Sequence, residues 1–247
     1  MVELLKNRRT IRKYSDKKVT DKLLNTILEA GIRTSTTGNM QLYSIVVTRD
    51  EKMKEGLAPL HFNQPMVRNA PVTLTFCADF NRFKKWCIQR GADPGYDNFL
   101  SFMTAAIDAL LVAQTVSIAA ESEGLGICYL GTVIYTAQQI IDLLELPSGV
   151  VPVATVTLGW PDEVNDQVDR LSLTSVVHYE RYRDYSSSDI DRIYSEKEQR
   201  DDSKQFVAEN NKSSLAQVFT DVRYKKSDNE TFSQLLLDVI RKQGFGF

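Results

Sequence analysis

The chain has 247 residues, 43% of them hydrophobic and 25% charged, which is enough apolar material for one large domain or two small ones with a sizeable core. A formal net charge of −2 gives no reason to expect nucleic acid as a partner. Cys77, Cys87 and Cys128 form no CxxC pair, and His61 and His178 are the only histidines, so a disulfide framework, a zinc site and a histidine-dependent hydrolase are all disfavoured.

The amino terminus turns basic after Met-Val-Glu-Leu-Leu-Lys, with no apolar stretch of signal-peptide length. The three thiols read as buried packing residues of a reducing compartment, and the expected address is the cytoplasm. A short first helix leads into Arg8-Arg9-Thr10-Ile11-Arg12-Lys13-Tyr14. Residues 8–18 hold six basic side chains against Asp16, a local net of +5 in a slightly acidic chain. Taken alone, such a cluster is either a solvated face or an anion site. Guanidinium groups favour the second role because they bind phosphate oxygens bidentately.

Thr20 predicts the cap of a helix over 21–33, with Leu23, Leu24, Ile27, Leu28 and Ile32 on one face. Thr34-Ser35-Thr36-Thr37-Gly38-Asn39 breaks it, and a β-branched strand follows over 42–48. A polar helix near 51–57 and an irregular stretch, His61-Phe62-Asn63-Gln64-Pro65, precede a strand over 72–78. That strand is apolar on both faces and so belongs inside a sheet. Residues 97–124 predict a long helix, apolar around most of its circumference and hence buried on nearly every side. It is either the axis of the domain or the contact with a second subunit. Asp108 and Gln114 interrupt its most apolar part, 105–120, which argues against a membrane span.

Gly126-Ile127-Cys128-Tyr129-Leu130-Gly131 predicts a short strand fenced by glycines, where the chain turns sharply or something approaches the backbone. Thr136 predicts the cap of a helix to about Leu144, and 151–158 a third, central strand ending at Gly159-Trp160-Pro161. Beyond His178 the chain becomes polar and helix-biased, closing with an amphipathic helix near 232–242. No internal repeat and no glycine-rich nucleotide loop is present, so Rossmann and P-loop architectures lack their fingerprint.

Four motifs now stand in order: Arg-Arg-Thr-Ile-Arg-Lys-Tyr, Ser-Thr-Thr-Gly-Asn-Met-Gln, Gly-Leu-Gly-Ile-Cys-Tyr-Leu-Gly, and Leu-Gly-Trp-Pro before an arginine. This series resembles the nitroreductase family, nearest to its NADPH-dependent, oxygen-insensitive nitroreductases and flavin reductases, along essentially the whole chain. The resemblance implies an α+β fold, a mainly antiparallel central sheet flanked by helices, in an interlocked homodimer. Residues 1–185 would form the flavin mononucleotide (FMN) core, and 186–247 a helical arm that packs on the partner and shapes the active site. Arg9 and Thr10 would hold the FMN phosphate with Arg8 beside them, and Arg170 would close on it. Arg12 would sit at the pyrimidine edge of the flavin. Gln64 would read its polar edge, and Thr36 would reach in from the facing subunit. Tyr129, Leu130, Gly131 and Thr132 would line the ring.

The implied activity is two-electron, ping-pong transfer from NADPH or NADH to nitroaromatics, quinones or free flavin, with no protein acid or nucleophile and no metal. The loop near Asn39 and residues 186–212 would shape access, Lys212 being a candidate for the nicotinamide's phosphates. Another reaction on the same fold, dehydrogenation or reductive removal of a substituent, stays open, as does flavin binding without turnover. In one place the chain departs from the family pattern: Val168 stands where near relatives carry a lysine, which predicts weaker FMN retention.

Overall fold

The computed structural model describes residues 1–247. Four strands, β1 (Tyr43–Thr48), β2 (Val72–Asp79), β3 (Gly126–Leu130) and β4 (Val150–Gly159), form one antiparallel sheet in the order β1-β2-β4-β3. The run of apolar and threonine residues in β2 is buried throughout, as expected of an inner strand. It pairs with β1 on one side (Ile45 opposite Phe76) and with β4 on the other (Val72 opposite Leu158). A bulge at Phe76/Cys77 shifts the second register. β3 then pairs with β4, Gly126 facing Gly159.

The same part of the chain carries helices α1 (Val2–Asn7), α2 (Asp21–Gly31), α3 (Glu51–Leu60), α4 (Pro65–Asn69), α5 (Asn81–Gln89), α6 (Phe99–Ser122) and α7 (Ala137–Leu143). Thr20 caps α2 as predicted, its hydroxyl accepting the Leu23 N–H at 3.2 Å. α2 then lies on α6, and a Cβ on Gly31 would come within 2.1 Å of Val116 Cγ2. Only glycine permits that approach. α5 was not predicted, because it is short and its sequence is charge-rich. Pro65 starts the short α4 at its first position, where a missing N–H is harmless. Thr136 does not cap α7 through its side chain; its hydroxyl donates instead to Leu60 O at 2.6 Å.

The long helix differs from expectation. Ala109, Val112, Ala113, Val116 and Ala120 enter the core with Leu74, Phe76, Val156 and Leu158. Leu100, Met103, Ile107, Leu110 and Leu111 remain 40–75% exposed along the opposite side. The helix is therefore buried on one face of the chain, not on nearly every side. By length and composition α6 could cross a membrane, but half of its most apolar window is buried inside the protein, and the carboxylate of Asp108 is among the buried groups.

By internal contacts the chain resolves into two compact units, Met1–Asp166 with Phe232–Phe247, and Gln167–Thr231. The second contains α8 (Leu173–Val176), α9 (Ser187–Gln199), α10 (Asp201–Glu209) and α11 (Leu215–Val218). Ser186 opens α9 with a complete capping box to Asp189. The last helix, α12 (Lys226–Lys242), begins earlier than predicted. Its Val239 and Ile240 are buried in the first unit, and Gly246 donates to Asp97 O at 2.7 Å, just before α6.

Candidate functional site

The basic segment is a fixed strand-like strip. Ile11 N–H donates to Ile127 O at 3.0 Å, which lays the segment along β3. Gly126 permits the contact, since a Cβ there would meet Ile11 at 2.5 Å. On its other side, one oxygen of Glu163 accepts the backbone N–H groups of Arg12 (2.6 Å) and Lys13 (3.1 Å). The amide of Asn165 bridges Glu163 and Thr10 O, both at 2.8 Å. These bonds, the one from Arg12 N–H foremost, hold the Glu163 carboxyl below the usual carboxylate range. Further along, Ser15 N–H donates to Trp160 O at 2.9 Å, and the Lys17 ammonium sits 3.2 Å from the Trp160 ring centroid. Tyr14 anchors the strip through its hydroxyl, bonded to Thr157 Oγ1 at 2.8 Å and to Ile11 O at 2.9 Å. Burial pushes that phenol's pKa up.

With Ile11 buried, its neighbours on the strip face outward, and Arg9 and Arg12 are exposed. Arg9 holds no ion pair. Arg12 lies beside Cys128 of β3 and partly offsets the burial that pushes the Cys128 thiol up. Arg8 is placed differently. Its guanidinium pairs with Glu121 of α6 at 3.2 Å, and Glu121 is 8% exposed.

β3 delivers the next residues. Tyr129 is 38% exposed and Leu130 is buried. A Cβ on the exposed Gly131 would meet nothing within 4 Å. Thr132 follows, its hydroxyl 2.8 Å from Nδ1 of His61 at the end of α3. The turn after His61 is strained: Phe62 and Asn63 both adopt φ 55, a region sparsely populated by residues with side chains. It leads to Gln64, half-buried, whose side chain makes no capping bond to α4. Arg68 ties the turn down through Asn63 (3.0 Å) and Glu55 (2.8 Å). Beside it, Phe62 stacks on Tyr135, and Tyr135 stacks on Phe232 at 4.7 Å between centroids.

Within the first unit, Thr10 and Arg12 lie on the strip beside the start of β3, the 129–132 turn stands at the other end of that strand, and the 61–64 turn joins it through Thr132. Thr36 makes no hydrogen bond to this group. It lies on the loop before Thr37, where the buried carboxylate of Asp108 accepts Thr37 N–H (2.9 Å), the Thr37 hydroxyl (3.1 Å) and Leu42 N–H (3.1 Å). In the second unit, Arg170 is exposed and donates to Asp169 O at 2.8 Å. It borders an apolar cleft of about 700 Å³ with Leu171, Tyr194 and Phe219. Lys212 pairs with Asp221 at 2.9 Å.

Four residues that matter here were not singled out as site residues from the sequence: His61, Asp108, Glu163 and Asn165. Asp108 left a trace, as a lone carboxylate in an apolar helix. The others had none, because their roles depend on partners 71 to 155 positions away.

An antiparallel sheet is edged by a clamped arginine strip that presents exposed cations, and its β3 strand ends at an open glycine. The strip supplies unpaired cation, the open space at Gly131 is the room a Cβ would fill, and Thr132 and Gln64 offer polar groups, all of which fit FMN. The nitroreductase family profile matches residues 5–160. An FMN reductase (NADPH) of Bacillus subtilis strain 168 is 33% identical over 183 residues, 73% of this chain and 74% of the relative. An oxygen-insensitive NADPH nitroreductase of Salmonella typhimurium is 34% identical over 182 residues, 74% of each chain. A crystal structure from Bacteroides fragilis NCTC 9343, provisionally described as an oxidoreductase, superposes with a TM-score of 0.98 at 57% identity, covering 99% of this chain and 100% of that one. The chain belongs to the nitroreductase family and has its fold.

Proposed function

We propose that this chain is a homodimeric, FMN-dependent oxidoreductase that carries two electrons from NADPH or NADH to nitroaromatics, quinones or free flavin by a ping-pong mechanism. The observation that supports it most is the clamped strip. Gly126 and Glu163 fix the backbone of residues 10–13, so Arg9 and Arg12 stand exposed on a strip beside β3, the strand that leads to the open Gly131. When bound, FMN would supply the two-electron redox chemistry that links the nicotinamide to the acceptor.

The chain's residues bind and orient. Arg9 and Thr10 hold the phosphate, with Arg8 alongside, and Arg170 keeps the phosphate role that the family resemblance gives it. Arg12 places positive charge at the pyrimidine edge and so favours negative charge there. Gln64 reads the polar edge, Tyr129 to Thr132 line the ring, and Thr36 comes from the facing subunit. The exposed side of α6 is the surface on which two subunits meet, and the chain from residue 186 serves as the arm over the partner, its last stretch, 232–247, packing instead in its own first unit. The three free thiols suit a reducing compartment, the cytoplasm.

The test is the visible spectrum of the purified protein before and after anaerobic addition of NADPH and of NADH. A flavin spectrum that bleaches with either nucleotide and recovers with a quinone supports the proposal. Protein that stays yellow and oxidised under both is a flavin holder without turnover. Colourless protein that takes up no added FMN rejects the site.

A further inference from the structure

His61 is completely buried, its Nδ1 lies 2.8 Å from the Thr132 hydroxyl oxygen, and its Nε2 has no hydrogen-bond partner. One proton must sit on one of the two ring nitrogens. Placed on Nε2, it would be a buried N–H with no acceptor. Placed on Nδ1, it is donated to Thr132, and only a lone pair is left unmet. Orphaned buried N–H groups are rarer than under-satisfied acceptors, so the Nδ1–H form is the one this environment selects. The doubly protonated form is disfavoured, since burial pushes the pKa of His61 down to about 4.

Once Thr132 Oγ1 accepts from His61, its own hydrogen has to go elsewhere. Thr132 is half-exposed and no other group in the chain bonds its hydroxyl. A second bond, from the Thr136 hydroxyl to Leu60 O at 2.6 Å, ties the same turn to the end of α3. The turn therefore cannot swing to find another acceptor. Next to it is the open face of Gly131.

We propose that His61 is a positioning residue: by donating to Thr132 it commits the threonine hydroxyl as an outward donor to the polar edge of the bound flavin ring. This rests on the FMN function proposed above. The chemical class recognised is a ring-edge acceptor, a carbonyl oxygen or imine-type nitrogen. His61 itself touches no ligand and transfers no proton.

The test uses the flavin-loaded full-length protein. FMN release on dilution, followed by the rise in flavin fluorescence, gives the dissociation constant, and the absorption maxima of the bound flavin report the ring-edge contact. Thr132→Val keeps the shape but deletes the donor, and should weaken FMN binding about fivefold, the loss of one neutral hydrogen bond, with a displaced near-ultraviolet band. His61→Leu should do the same, and the double variant should be no worse than Thr132→Val alone. His61→Asn, whose side-chain amide can donate from near the Nδ1 position, should restore both affinity and spectrum. Wild-type affinity and spectrum in Thr132→Val would overturn the proposal, and so would strictly additive losses in the double variant. Should His61→Leu not fold, Thr132→Val and His61→Asn still decide it. A wild-type protein that carries and binds no FMN removes the underlying function as well, an outcome separate from flavin-loaded variants that behave alike.

Discussion

At the scale of single residues, burial decides what each polar group does. His61 is neutral in the folded protein, its pKa pushed down to about 4, whereas the unfolded chain binds a proton near 6.5. The unfolded state therefore takes up the proton first as pH falls. Stability is complete above about pH 6.5 and is lost progressively toward pH 4, by roughly 3 kcal/mol from this group. Urea midpoints measured from pH 7 to 4.5 should fall, and less steeply in His61→Asn; parallel curves would show that His61 is not the source. Val168, 64% exposed, stands where the family resemblance leads one to expect a lysine. Valine offers no hydrogen bond and a charge-assisted one is worth about 1.5 kcal/mol or more, so Val168→Lys should bind FMN roughly tenfold more tightly. Unchanged or weaker retention, read by equilibrium dialysis, counts against a phosphate site there. The basic cluster holding Arg9 and Arg12 was legible in the sequence as a solvated face or an anion site, and only the family resemblance gave the two arginines flavin roles. The pairing of Arg8 with Glu121 was not, because the two lie 113 positions apart and meet only when α6 packs.

At the scale of elements, the strands and helices α1, α2, α3, α6, α7 and α12 were legible in the sequence, and the structure added α4, α5, the separate helices α8 to α11 and the way the loops are held. The loop carrying Thr36 is fixed to α6 by three donors converging on the Asp108 carboxylate, which is completely inaccessible to solvent. Asp108→Ala would leave the Thr37 and Leu42 N–H groups without that acceptor, at a cost of roughly 3 kcal/mol in total. Chemical denaturation should register that loss. Asp108→Asn, which retains one acceptor oxygen, should lose less. A loss below about 1 kcal/mol for the alanine variant would show that the loop finds other partners. Charge-rich α5 escaped notice because it is only nine residues long, and its short apolar face, Phe83, Trp86 and Cys87, does not stand out among the charges.

At the scale of the whole molecule, α6 carries the largest unanswered question of burial. Leu100, Met103, Ile107 and Leu110 recur at three- and four-residue spacing, so they form a continuous stripe on the exposed side. Apolar stripes of this kind mark interaction surfaces. On the proposed homodimer, the double variant Ile107→Glu with Leu111→Lys should shift the protein from dimer to monomer in sedimentation velocity. It should also release FMN, since the proposal has Thr36 supplied by the partner. A variant that stays dimeric places the interface elsewhere.

The amino-acid sequence by itself determined the strands, the Thr20 cap, the basic strip and the ordered motifs that carry the family resemblance, since each is written in residues close along the chain. Only the tertiary structure decided that Arg8 is neutralised, that Glu163 and Asn165 clamp the strip, that His61 meets Thr132, and which side of α6 faces the core. Those contacts join residues 71 to 155 positions apart. Hydrogen bonding and burial at such distances arise only when the chain closes on itself, and no local pattern encodes them.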